Sequence, residues 1–454
     1  MDAAVMTVNP QLSACMAQLP EAAALRRFLS EQAVPPFALD DLQMVRGRIE
    51  RRNFNGLRLL YKGALRDGAS RGIYFFARSE PRLQGHSVAA EINAAARRST
   101  SAGPATERRA ALYAEPLRLL IQFFPSDAGL PQLARIADTE FLKRLFEGTL
   151  GNFSRGRALT GVDAALVRYE PEKKCLFRYR LSWRDPKSGD RQTETVYGKV
   201  FGKAQRAHED LARIHERAKA QDFRVPEPIA VVAELSWQIF GELEGMPLPQ
   251  RLNHASFADD CRRIGAALRQ FHEMPVAFST AKPMARQLTE SRKWTEEFAW
   301  ALPAAAERIR RLYQKIERVL ANQSTHAAKP VHGDFNPANV LVAAENVGFI
   351  DFDDCFMGQP ELDVGSFYGE LKLLALKEFG DSRRFDAGLR AFLSAYFGDN
   401  DSGVSEVTAA WCALNCLWCG YFQALLRPTS AGFVERAVAM IEHGEDVFQR
   451  GALS

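Results

Sequence analysis

The stretch VHGDFNPANVLV at residues 331–342, followed by VGFIDFDDC at 347–355, sets a His, carboxylates and two Asn among strand-forming apolar residues. Val340 to Val342 and Val347 to Ile350 are short apolar runs around AAEN, which predicts a β-hairpin. Asn339 and Asp351 each lie six residues from Glu345. A turn centred there sets them opposite one another, with Cβ atoms about 4.5–5.5 Å apart. The bland reading is an Asp/Asn-rich turn without chemistry. The sharper one is a site that handles charge.

Two oxygen-bearing side chains at one end of a hairpin suit a hard cation. Mg²⁺ takes one or two oxygen ligands from protein and completes its shell with phosphates and water. Asp334 lies five residues before Asn339, in a loop stiffened by Pro337. A carboxylate there can accept the proton of an attacking hydroxyl, and such bases contribute about 10²- to 10⁴-fold. A base and two metal ligands are parts that phosphoryl transfer needs, because its catalysis is mostly positioning and charge neutralisation.

The order H-G-D-x4-N followed by I-D resembles the motif of the aminoglycoside phosphotransferase / choline kinase-like family, a branch of the protein-kinase-like fold. GQPELDVGSF, from Gly358 with Asp363 opening a helix, and IGAALRQFHEMP at 264–275 are similar to the family's flanking segments. The resemblance covers roughly 160–445. It implies an α+β, bilobal fold with an antiparallel-sheet N-lobe and a mainly helical C-lobe. It also implies ATP and Mg²⁺ as cofactors, with Asp334 as base, Asn339 and Asp351 as metal ligands, and His332 structuring the loop.

The same resemblance asks for an N-lobe Lys on the third strand and a helical Glu to hold it. Lys199 in TVYGKVF takes the first role. Glu209 and Glu216 compete for the second, and the distance to RVPEPIAV favours Glu209. The opposing reading makes Lys199 a strand-edge charge and Glu209 a solvated one. YEPEKKCLFRY, between the first two strands, departs from a Gly-rich phosphate loop. Lys173 and Lys174 could cover phosphates or form an exposed turn. The hinge that meets the adenine is expected near Phe240 to Leu243.

The rest of the chain divides into a helical segment (1–40, ending at the breaker VPP of 34–36), an accessory α+β region (41–150), the N-lobe (151–245) and the C-lobe (246–454). In the accessory region, RLLYKGAL and GIYFFAR flank RDGASR as a hairpin, and a helix near 87–98 runs into the loop STSAGPAT. These pieces, with AEPLRLLIQFFPSDAGLPQLARI, align in order with FRYRLSW, VYGKVF and AELSWQIFGELEGMPLPQRLNH. The region reads as a degenerate N-lobe copy in which Phe76 stands where Lys199 does. Two unrelated strand–helix–strand units would also look alike.

Composition sets the outer limits. The chain has 454 residues, 46% hydrophobic and 25% charged, as in an ordinary globular protein. A net charge of +4 over this length gives no basic patch for nucleic acid. No signal-peptide pattern opens the chain, and no apolar run reads as a membrane span. Seven Cys fit free thiols in a reducing compartment, so the expectation is a cytoplasmic protein without membrane or nucleic-acid partners. Cys412, Cys416 and Cys419 have a C-x3-C-x2-C spacing that also occurs around iron–sulfur clusters. At i, i+4 and i+7 in an apolar stretch they read instead as one face of a core helix.

The function expected is transfer of a phosphoryl group from ATP to a hydroxyl or amine of a small-molecule acceptor. The alternative is a catalytically silent nucleotide-binding or regulatory module. A protein kinase ranks last, because H-R-D and D-F-G are missing in their usual form.

Overall fold

The computed structural model describes residues 8–32, 39–49, 56–65, 72–79, 84–99, 110–149, 151–322, 328–398 and 405–450. The VPP breaker, the RDGASR turn and all of STSAGPAT after Ser99 lie outside them.

Two short helices, α1 (Pro10–Met16) and α2 (Ala22–Gln32), precede strands β1 (Leu39–Ile49), β2 (Leu57–Leu65) and β3 (Gly72–Ser79). Helix α3 (Gly85–Ser99) leads to β4 (Ala111–Ala114) and β5 (Leu119–Phe123), and α4 (Leu133–Ile136), α5 (Thr139–Thr149) and α6 (Gly151–Ser154) follow. A second sheet is built from β6 (Ala158–Glu170), β7 (Lys174–Arg184), β8 (Arg191–Phe201), then, after α7 (Ala204–Ala218) and the short β9 (Phe223–Arg224), β10 (Pro228–Val232) and β11 (Trp237–Gly241).

The two sheets have the same plan. Their orders are β1-β2-β3-β5-β4 and β6-β7-β8-β11-β10, with every neighbour antiparallel. Each has a helix after its third strand and a 3₁₀ turn between its last two, closed by a left-handed residue, Arg118 or Ser236. The register also agrees. Phe76 stands between Leu60 and Gln122, as Lys199 stands between Leu176 and Gln238.

Alternation along β7 and β8 sends Cys175, Phe177, Tyr179, Val196 and Val200 to the outer face of the second sheet, where all are buried. Helix α5 covers that face. Its Phe146 meets Tyr179 and Trp237 with ring centroids 5.4 and 5.5 Å apart. Such pairs add about 0.5–1.5 kcal/mol each beyond area burial. The inner face, with Lys174, Leu176 and Lys199, is left to look into the cleft.

The C-lobe begins with β12 (Met246–Pro247) and the helices α8 (Phe257–Glu273), α9 (Met284–Ala301) and α10 (Ala306–Ala321). Short strands β13 (Lys329–Val331), β14 (Val340–Val342), β15 (Val347–Phe349) and β16 (Phe356–Gly358) carry the motif segment. Helices α11 (Glu361–Phe379), α12 (Asp386–Phe397), α13 (Glu406–Tyr421) and α14 (Phe433–Arg450) complete a mainly helical lobe. An antiparallel-sheet lobe over a helical lobe is the bilobal α+β arrangement of the sequence reading.

One expectation needs correction. Glu406–Leu426 is long and apolar enough to cross a membrane by length and composition, although the sequence reading found no such run. Here 78% of its most apolar window is buried inside the molecule, which makes it a core helix. Cys412, Cys416 and Cys419 lie on it, all buried, and no group of three or more His, Cys, Asp or Glu side chains that could hold a metal ion occurs among the described residues.

Candidate active site

The loop between β13 and β14 carries His332, Gly333 and Asp334. Gly333 has φ +83°, and a Cβ there would come within 2.5 Å of the Asp354 carbonyl oxygen. Glycine is therefore required by both backbone conformation and space. The fully buried carboxylate of Asp363, in the first turn of α11, holds this loop. It accepts the backbone N–H of His332 at 2.6 Å, that of Gly333 at 2.9 Å, and His272 Nε2 at 3.0 Å. His272 Nδ1 lies 2.7 Å from the Tyr396 hydroxyl. His332 is buried; its Nε2 donates to the Ile350 carbonyl at 3.0 Å, so its Nδ1 is left to accept the Asp334 N–H.

With its backbone fixed in this way, Asp334 stands exposed on the cleft floor. Asn336 Nδ2 donates to one of its oxygens at 3.1 Å, and Asn339 Nδ2 reaches the other at 3.3 Å and the main-chain carbonyl at 2.8 Å. Desolvation by the surrounding protein, then the charge of Asp351, push the Asp334 carboxyl above the ordinary carboxylate range.

The hairpin forms, but one residue away from the expected register. Val340 pairs with Phe349 and Val342 with Val347. The turn closes from Ala343 to Asn346, so its centre falls between Glu345 and its predecessor. Asn339 therefore faces Ile350, whose N–H donates to its carbonyl at 3.0 Å. Asp351 has left the ladder with a left-handed backbone, φ 68°, and this kink delivers it to the cleft.

There it meets Lys199. The Lys199 ammonium contacts Asp351, lies 2.5 Å from Asp353, and is buried. Burial alone would lower its pKa; the two carboxylates more than offset that and hold it above its ordinary value. Lys174 Nζ lies 3.5 Å from each of the same carboxylates. Burial would raise the Asp351 carboxyl, but Lys199 and Lys174 hold it well below the usual range. Asp353 is raised to about 6, chiefly by burial and by Asp351 beside it.

Glu209 is not part of this cluster. It is half exposed on α7, accepts from Gln205 at 2.8 Å and lies 3.9 Å from Arg213. The reason is helix phase: Ala207, Asp210, Leu211, Ile214 and Ala218 are buried, which turns Glu209 outward. Glu216 is also exposed, paired with Lys219. Helix α7 holds the site through cations instead. Arg206 donates to the Asp353 carbonyl at 2.8 Å, and Lys203 binds Asp354 at 2.7 Å.

The sequence reading missed Asp353, although a second carboxylate two residues after Asp351 was visible in IDFD. It left Lys174 open. It also passed over Glu370 on α11, whose carboxyl is raised by burial, with Lys377 opposing and the Asp334 charge reinforcing the shift.

A sheet lobe thus brings two lysines to paired carboxylates, above a loop presenting one solvent-reachable Asp. Residues 191–404 match the model of the phosphotransferase enzyme family (APH). Similar solved structures include a choline/ethanolamine kinase family protein from Mesorhizobium loti, 18% identical over 60% of this chain and 88% of that one, with a TM-score of 0.44. Choline kinase from Cryptosporidium parvum Iowa II is 12% identical over 70% and 98%, TM-score 0.44. Choline kinase LicA from Streptococcus pneumoniae is 16% identical over 68% and 99%, TM-score 0.42. No curated protein matches the sequence.

Proposed function

We propose that the protein transfers the γ-phosphate of ATP, with Mg²⁺, to a hydroxyl or amine of a small molecule, using Asp334 as the base. The observation that carries this reading is the exposed Asp334, with its raised pKa, on the same floor as the Lys199–Asp351–Asp353–Lys174 cluster. A carboxylate whose pKa is raised is a stronger base than an ordinary one. The Asn336 and Asn339 amides orient its oxygens, and the Asp363 network keeps the loop from moving away.

The donor chemistry fits a hard cation. Asp351, Asp353 and the side-chain oxygen of Asn339 are all oxygen donors, and two ammonium groups are already drawn to the carboxylates. Asp351 and Asn339 would hold Mg²⁺, with Asp353 beside them, and the ion would neutralise phosphate charge. Lys199 and Lys174 supply fixed positive charge at the same place. We read residues 41–150 as a degenerate copy of the N-lobe whose Phe76 has replaced the phosphate-binding lysine.

The test is ADP formation by purified protein given Mg²⁺-ATP and a panel of small hydroxyl and amine compounds. Acceptor-dependent ADP release is the expected result. ATP binding without turnover on any acceptor would instead favour a silent nucleotide-binding module.

A further inference from the structure

The turn over the cleft, residues 170–174, is held from outside by the accessory sheet. It joins β6 to β7 and contains no glycine, yet Glu172 has a left-handed backbone, φ 63°. That conformation costs a non-glycine residue about 1–2 kcal/mol, so neighbours must impose it. They come from the loop after β5. Asp127, 5% exposed, accepts the Glu172 N–H at 2.8 Å and the Tyr169 hydroxyl at 2.7 Å with one oxygen. Its other oxygen accepts the N–H groups of Gly129 at 2.7 Å and Leu130 at 3.0 Å, which fixes the gripping loop itself.

Gly129 lies flat on the turn. A Cβ there would come within 2.6 Å of the Glu172 Cα and 2.7 Å of its carbonyl oxygen. The Glu172 carboxylate is taken by Arg58 and by Arg78 at 3.4 Å, from β2 and β3, and Arg46 of β1 reaches Glu170 at 3.3 Å. The N-terminal segment and the accessory sheet are in turn braced on the C-lobe. Asn9 donates to the Trp300 carbonyl at 3.1 Å, and Gly47 packs on Thr429.

Two residues beyond Glu172 is Lys174, whose ammonium faces Asp351 and Asp353. We propose that Asp127, Gly129, Arg58 and Arg78 are positioning residues for the nucleotide. They clamp the 170–174 turn so that Lys174 is held over the phosphates. Here a second sheet orders the turn. The loop that grips follows β5 as the hinge segment follows β11, so the copy has turned the place of its own hinge toward the working lobe. This inference rests on the proposed ATP site.

The experiment measures Mg²⁺-ATP affinity and steady-state constants for the full chain, for Lys174→Met, for Asp127→Asn and Gly129→Ala, and for each clamp variant combined with Lys174→Met. Expected is a loss of ATP affinity of about tenfold in each single variant, with the acceptor KM unchanged. In the Lys174→Met background the clamp substitutions should add less than twofold, because they act through that ammonium. Restoring a cation with Arg58→Lys should retain more affinity than Arg58→Ala. Should Gly129→Ala fail to fold, Asp127→Asn and the Arg58 pair decide the matter. Clamp variants that bind ATP like the parent, while Lys174→Met is weakened, overturn the clamp alone. Additive losses in the double variants also overturn it. An unaltered chain that binds no Mg²⁺-ATP overturns the ATP site and the clamp together.

Discussion

Replacing Asp363 by Asn is the sharpest perturbation of the catalytic loop that leaves every residue of the loop in place. The native carboxylate is fully buried and satisfies three donors: two backbone N–H groups and one imidazole N–H. Asparagine offers a single oxygen and places an NH₂ group among those donors. Hydrogen bonds to a charged acceptor contribute about 1.5–3 kcal/mol each, and an orphaned buried donor costs about 1–3 kcal/mol. With one bond weakened and at least one donor orphaned, local opening should become easier by about 3 kcal/mol, which is roughly a 10²-fold rise in the open population. Hydrogen exchange read by mass spectrometry on a peptide covering 331–342 measures this directly, with a peptide from α10 as internal control. Exchange of the loop should accelerate by about 10²-fold while the control stays constant. Loop exchange within threefold of the parent would refute the claim that Asp363 holds the motif.

Gly333→Ala should cost about 1–3 kcal/mol by thermal or denaturant unfolding, because φ +83° and the Asp354 carbonyl both reject a Cβ. Lys199→Met should weaken Mg²⁺-ATP binding by about ten- to a hundredfold, read by calorimetry, since it removes the ammonium shared by Asp351 and Asp353. Because the Asp353 carboxyl is raised to about 6, its protonated form stabilises the folded, nucleotide-free protein. That contribution is complete below about pH 4 and is lost as pH rises through about 6. Asp353→Asn, which cannot ionise, should therefore gain in melting temperature relative to the parent across this window. All seven cysteines are buried, and burial pushes the thiols of Cys355, Cys412 and Cys419 well above their ordinary value. A thiol reagent should label none in the native protein and seven in guanidinium.

What was legible in the sequence was local. Asp334, Asn339 and Asp351 sit within one short segment, and the strands around them show a period of two, so loop and hairpin could both be anticipated. Register was harder, because a shift of the turn centre by half a residue moves every partner by one. The left-handed kink that carries Asp351 out of the ladder leaves no mark in composition. Glu209 was chosen by distance along the chain, whereas the apolar positions Ala207, Leu211, Ile214 and Ala218 already placed it on the outer face of α7. The shared plan of the two sheets was visible as aligned strand–helix–strand pieces, because each sheet keeps its own period and turn. The grip of Asp127 on Glu172 spans 45 residues of sequence and depends on how two sheets dock. Nothing local announces it.

The central claim is that Asp334 takes the proton of the acceptor. It is tested by comparing the parent with Asp334→Asn at saturating Mg²⁺-ATP and an active acceptor, together with ATP affinity for both. The account predicts that kcat falls by about 10²- to 10⁴-fold while ATP affinity stays within about threefold. A variant that turns over at the parental rate would contradict it.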